Sequence, residues 1–107
     1  MICQVLTKPG DVIVVEDPTY FLALEIFKRD HQLRVVAAPM DDEGLLVNDN
    51  LEKIFLEEKP KLLYIIPTHH NPTGRTLPTR TFFSLFPSLS PSLLVFSLSF
   101  SRHCLKL

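Results

Sequence analysis

Three short apolar runs constrain this chain more than any other feature of its sequence. Val12-Ile13-Val14-Val15 is continuously β-branched, Arg34-Val35-Val36-Ala37-Ala38 forms the second run, and Lys61-Leu62-Leu63-Tyr64-Ile65-Ile66 the third. The first of them, short and continuously β-branched, suits a strand covered on both faces. About twenty residues lie between successive runs, enough for a helical crossover, and crossovers between parallel strands are right-handed. The expected fold class is α/β, a parallel sheet with helical crossovers.

Local signals fill the intervals. Pro9-Gly10-Asp11 is a turn before the first strand. Asp17-Pro18-Thr19 carries helix-start chemistry, an Asx cap followed by a first-turn proline. Tyr20, Ala23, Leu24 and Phe27 then recur at helical spacing, with Glu25, Lys28 and Arg29 on the opposite side. Pro39 is expected to close the second strand, and Met40-Asp41-Asp42-Glu43-Gly44 reads as a polar turn. Asn48 or Asp49 can cap a second helix, with Leu51, Ile54 and Phe55 inward and Glu52, Glu57 and Glu58 outward. Lys59-Pro60 ends that helix, and Pro67 stops the third strand. In open sheets of this kind ligands gather beyond the carboxyl ends of the strands, here residues 16–20 and 68–74.

Composition narrows the function classes. The chain has 107 residues and a net charge of −1, which argues against a nucleic-acid partner, since such proteins carry a basic surface. The two cysteines, Cys3 and Cys104, are too far apart in sequence to suggest a zinc site or a disulfide framework. Residues 1–8 hold no apolar stretch of secretory length, so a cytoplasmic location is expected. All twelve acidic residues fall within the first sixty positions. From Thr81 to Ser101 there is no charged side chain, and serine, phenylalanine, leucine and proline dominate. Residues 81–107 are therefore set apart as a low-complexity apolar tail. Residues 81–101 have the length of a membrane anchor, but two prolines and only 11 strongly apolar residues in 21 make a membrane partner an unfavoured alternative.

The motif lies directly after the third run. Pro67-Thr68-His69-His70-Asn71-Pro72-Thr73-Gly74, taken with Pro9-Gly10-Asp11, Glu16-Asp17-Pro18-Thr19-Tyr20, Asp42-Glu43-Gly44 and Tyr64-Ile65-Ile66-Pro67, resembles the class I/II aminotransferases, which are fold-type I pyridoxal-phosphate enzymes. The resemblance runs from about Pro9 to Pro78, so residues 1–80 are expected to be a partial large domain. It implies pyridoxal 5'-phosphate as cofactor, an amino acid and a 2-oxo acid as substrates, and a homodimer as the family's assembly. Asn71 matches the asparagine whose amide donates to the phenolic oxygen of the pyridoxal ring, favouring its ionised form. Tyr20 matches the aromatic that stacks on the pyridine ring and keeps its plane aligned with the breaking bond. Pro18 and Pro72 match positions often cis in the family, and a cis Pro18 would displace the helix start placed at Asp17.

Several neighbouring residues carry plainer readings. Without the resemblance, residues 71–74 are a turn that stops a strand, and Tyr20 is a core aromatic. His69 and His70 read as loop polar residues, because two adjacent histidines lack a third metal ligand. Glu16 and Asp17 are consecutive on a strand end, so their side chains point apart and no acid-base pair is expected.

The resemblance also defines what is missing. The family's reaction needs a lysine that bonds covalently to the cofactor and later moves the proton. Lys8, Lys28, Lys53, Lys59 and Lys61 precede Asn71, and Lys106 stands in a stretch that does not match. The aspartate that faces the pyridine nitrogen, the arginine for the substrate carboxylate and a glycine-rich phosphate loop have no counterpart either. The chain alone is expected to be catalytically inactive, a slice of a large domain with three strands and few edge partners.

Overall fold

The computed structural model describes residues 5–70 and 72–85 together with the backbone of 94–97. Strand β1 (Val12–Asp17) leads into helix α1 (Phe21–Glu25), which continues as a π-helical turn (Ile26–Asp30). Strand β2 (Arg34–Asp41), the short β3 (Gly44–Leu45), helix α2 (Asp49–Glu58), strand β4 (Leu62–Ile65), helix α3 (Thr79–Ser84) and strand β5 (Leu94–Ser97) follow. The sheet order is β3-β2-β1-β4-β5. β1 runs parallel to both β2 and β4, β4 runs parallel to β5, and β2 pairs antiparallel with β3. The expected α/β class holds, and the described sheet has two strands more than the three apolar runs indicate.

Each face of the sheet is covered, as an unbroken apolar strand requires. Successive residues of β1 alternate between faces. Ile13 and Val15 pack with Leu62, Tyr64 and Ile66 beneath Ala23 and Phe27 of the helical segment 21–30. Val14 packs on the other face with Ala38, Leu63 and Ile65, beneath Leu51 and Phe55 of α2 and beside Leu77 and Leu85. Val14 and Leu63 are fully inaccessible, and burying each such side chain is worth about 1.5–3 kcal/mol. Phe27 meets Tyr64 edge-on with ring centroids 5.2 Å apart, which ties the helical segment to β4.

Two local expectations need correction. The first helix does not start at Asp17: Asp17 is the last residue of β1 and pairs with Pro39 of β2, the Asp17–Pro18 bond is cis, and the helix begins at Phe21. Tyr20 stands at its N-cap without a side-chain cap bond. The second strand does not end before Pro39 either. A proline lacks only the donor, and the Pro39 carbonyl still accepts from Leu46 N–H at 3.1 Å, so the strand continues to Asp41. The cap of α2 falls where the sequence puts it, with Asn48 Oδ1 accepting from Leu51 N–H at 3.2 Å.

The turn between β2 and β3 closes on Gly44, whose φ of +112° lies outside the range ordinary side chains adopt. A Cβ there would stand 3.1 Å from Leu77 Cδ1, so glycine also lets the turn pack against the segment after β4. Among the described residues, no helix is long and apolar enough to cross a membrane. Part of the uncharged stretch 81–101 forms β5, a strand of the sheet.

Candidate functional site

The pairing of Val15 with Tyr64 sets the carboxyl ends of β1 and β4 side by side. Glu16 follows at the tip of β1 and is only 2% exposed. Its Oε2 accepts from Ile66 N–H at 3.0 Å, at the end of β4. The same oxygen lies 2.9 Å from Nε2 of His70, which is also 2% exposed. The approach is close but not aligned as a hydrogen bond, and Thr19 Oγ1 nearby in sequence is a second buried polar atom without a partner among the described residues.

From His70 the network passes into the turn. Its Nδ1 lies 2.8 Å from Thr73 Oγ1, and Thr73 N–H points at the same nitrogen from 3.4 Å. The His70 carbonyl accepts from Gly74 N–H at 2.6 Å, and His70 N–H donates to the Arg75 carbonyl at 2.8 Å. Gly74 supplies a φ of +75° that closes this turn. Arg75 then anchors the turn to the β2–β3 connection, donating from Nη1 to the Asp41 carbonyl at 2.7 Å.

Burial dominates the electrostatics. It pushes the Glu16 carboxyl up from 4.5 to about 7, against the smaller opposing effect of the Ile66 N–H bond. Burial, and after it the charge of Arg75, lowers His70. Burial also raises the Tyr64 phenol, with the Glu16 carboxylate and Tyr20 adding to the effect. The 2.9 Å approach has the distance of an ion pair, yet both partners shift toward their neutral forms. In a site this dry the cost of desolvating two charges decides, and burial favours the neutral form of each partner, the carboxyl losing its proton only as the pH rises through about 7.

Of the two candidate residues named from the sequence, Tyr20 is half-buried at the start of α1 and packs against the Ile13–Val15 side of the core. Its ring meets Phe21 edge-on at 5.7 Å. Asn71 lies outside the described residues, as does the isomer of the bond to Pro72. Glu16 and His70, read from the sequence as unremarkable loop and strand-end polars, are the groups that the fold brings together. The only sequence signal for them is position, since each stands at or just beyond the carboxyl end of one of two expected parallel strands. The five described lysines are exposed and stand elsewhere, Lys8 and Lys61 before β1 and β4, and Lys28, Lys53 and Lys59 on or capping helices. Among the described residues no three His, Cys, Asp or Glu side chains converge as a metal site would need.

Known proteins resemble this chain in sequence and in backbone fold. Aromatic-amino-acid aminotransferase 1 of Thermococcus litoralis is 43% identical over 81 residues, covering 72% of this chain and 19% of that protein. The kynurenine aminotransferase of Pyrococcus horikoshii, solved in complex with PMP, superposes with a TM-score of 0.78 at 34% identity, over 92% of this chain and 25% of that one. An archaeal alanine:glyoxylate aminotransferase superposes with a TM-score of 0.81 at 33% identity, over 90% of this chain and 25% of that one. No family model matches the chain. This chain thus spans about a fifth to a quarter of the length of these relatives. Sequence likeness and backbone superposition agree over most of its length, and the chain belongs, as a partial large domain, to the class I/II aminotransferases among the fold-type I pyridoxal-phosphate enzymes.

Proposed function

We propose that this chain is the part of a pyridoxal-phosphate-dependent aminotransferase that contacts the cofactor ring, the whole protein transferring an amino group from an amino acid to a 2-oxo acid. In this reading Tyr20 stacks on the pyridine ring and the Asn71 amide donates to the phenolic oxygen. The observation that carries it is the Glu16–His70 contact of 2.9 Å, which brings together the residues flanking Tyr20 and Asn71 at two adjacent strand tips. The residues present fit part of such a group: a half-buried aromatic, a buried Thr19 hydroxyl without a partner among the described residues and a tight turn gather at the carboxyl end of the sheet. When bound, pyridoxal phosphate supplies an electron sink for charge developing on the substrate carbon. Tyr20 would orient that ring, and Asn71 would hold the phenolic oxygen in its ionised form.

What this chain contributes is orientation. None of its described lysines stands at the strand tips, so the covalent attachment and the proton transfer belong to residues it does not supply there. That observation favours a second reading for the chain by itself, a catalytically inactive segment, with the family's homodimer as the setting in which the full site forms. We further propose that the boundary near residue 80 is one of sequence character, not of fold. The Thermococcus litoralis relative matches 72% of the chain, whereas the Pyrococcus horikoshii structure superposes on 92% of it.

Titration of the chain with pyridoxal phosphate, followed by cofactor absorbance, tests the reading. Wild-type chain is expected to perturb the band and Tyr20→Ala to weaken binding about tenfold, the worth of one stacked ring. An unperturbed band would remove the cofactor contact. Borohydride reduction and peptide mapping are expected to find no adduct at a defined lysine, and one reproducible site would restore catalysis to this chain.

A further inference from the structure

Glu16 and His70 are buried polar groups for which cofactor contact by Tyr20 and Asn71 has no use. A buried carboxyl is costly, and a fold that keeps one gains geometry more than stability from it. We propose that Glu16 is a positioning residue, which through His70 seats the 68–75 turn on the tip of β1 and so holds the residues on both sides of Asn71. The proposal rests on the function given above only in treating that turn as a cofactor element.

The path is continuous. Oε2 of Glu16 meets the Ile66 N–H at 3.0 Å and His70 Nε2 at 2.9 Å, tying the end of β4 and the turn to one atom of β1. The far side of the same imidazole meets Thr73 Oγ1 at 2.8 Å. Two backbone bonds then close the turn around His70, from Gly74 N–H at 2.6 Å and to the Arg75 carbonyl at 2.8 Å. The ring is therefore bonded through Nδ1 and lies against the Glu16 carboxyl at Nε2, and removing the carboxyl frees it on that side while leaving the strand pairing of β1 with β4 in place. Arg75 from the turn acts on His70 by its charge, and the Glu16 carboxylate acts in the same way on the Tyr64 phenol of β4.

The test is residue-resolved amide exchange by NMR on the 107-residue chain, comparing wild type with Glu16→Ala and Glu16→Gln. Glu16→Ala is expected to speed exchange at the His70 and Gly74 amides by about tenfold while the Val14 and Leu63 amides in the strands keep their protection. Glu16→Gln, of the same length and still able to accept from Ile66 N–H, is expected to restore the turn. In both variants the His70 ring nitrogen shifts are expected to lose the step near neutral pH that Glu16 ionisation imposes. Unchanged exchange at His70 and Gly74 in Glu16→Ala would overturn the proposal. So would an equal rise at Val14 and Leu63, which would make Glu16 a general support of the core. A chain that shows the turn-specific pattern yet binds no pyridoxal phosphate keeps the positioning role and loses the cofactor reading.

Discussion

Glu16 carries the most informative residue-scale energetics in the molecule. Its carboxyl is raised from 4.5 to about 7 by burial, so between those values the folded chain holds a proton that the unfolded chain has released. Stability from this group is full below about pH 4.5 and declines as the pH rises to about 7, by about 3 kcal/mol. His70, lowered by burial and by Arg75, acts in the opposite sense and costs stability as the pH falls below its ordinary range. Glu16→Gln removes the first component alone. Urea midpoints taken from pH 4.5 to pH 8 are expected to show the variant gaining on wild type by up to about 3 kcal/mol at the alkaline end, and parallel profiles would mean that the carboxyl is not desolvated. Sequence patterns single out Tyr20 and Asn71 because a motif surrounds each. They do not single out Glu16 with His70, because a contact between residues so distant in the chain is created by the β1–β4 register.

Among the elements, the strands are legible and the helix starts only in part. Continuous β-branched or aliphatic text specifies a two-sided strand, and β1 and β4 form where it occurs. Asn48 caps α2 because its short side chain reaches back to an otherwise orphaned N–H, a strictly local interaction. Asn48→Ala is expected to cost about 1 kcal/mol, measurable as a shift of the urea midpoint, and Asn48→Asp to cost much less. Asp17 offers the same chemistry but is claimed by the sheet, where it pairs with Pro39 at the end of the β1–β2 ladder. Tertiary pairing overrides a local cap preference there, and the helix is delayed to Phe21.

For the whole molecule, the radius of gyration of 13.0 Å is that of a folded domain of this length, about 13 Å. Compactness comes from covering both faces of the sheet and from β5, which gives β4 a neighbour on its outer side. Deleting residues 81–107 would remove Leu85, 1% exposed in the core beneath the sheet, and leave β4 as an edge. Loss of one buried leucine costs about 2–5 kcal/mol. The truncated chain is therefore expected to unfold at markedly lower urea and to associate through β4, read by sedimentation. Equal midpoints for the two chains would make residues 81–107 a dispensable appendage.

The sequence by itself determined the class of fold, the strands buried on both faces, the cap of α2 and the family, since each rests on neighbours in the chain or on motifs read in order. Only the tertiary structure decided where the first helix starts and that Glu16 meets His70. It also decided that part of the uncharged stretch forms a strand beside β4. These depend on register between strands, which is set by the packing of both faces at once and is encoded in no single stretch of residues.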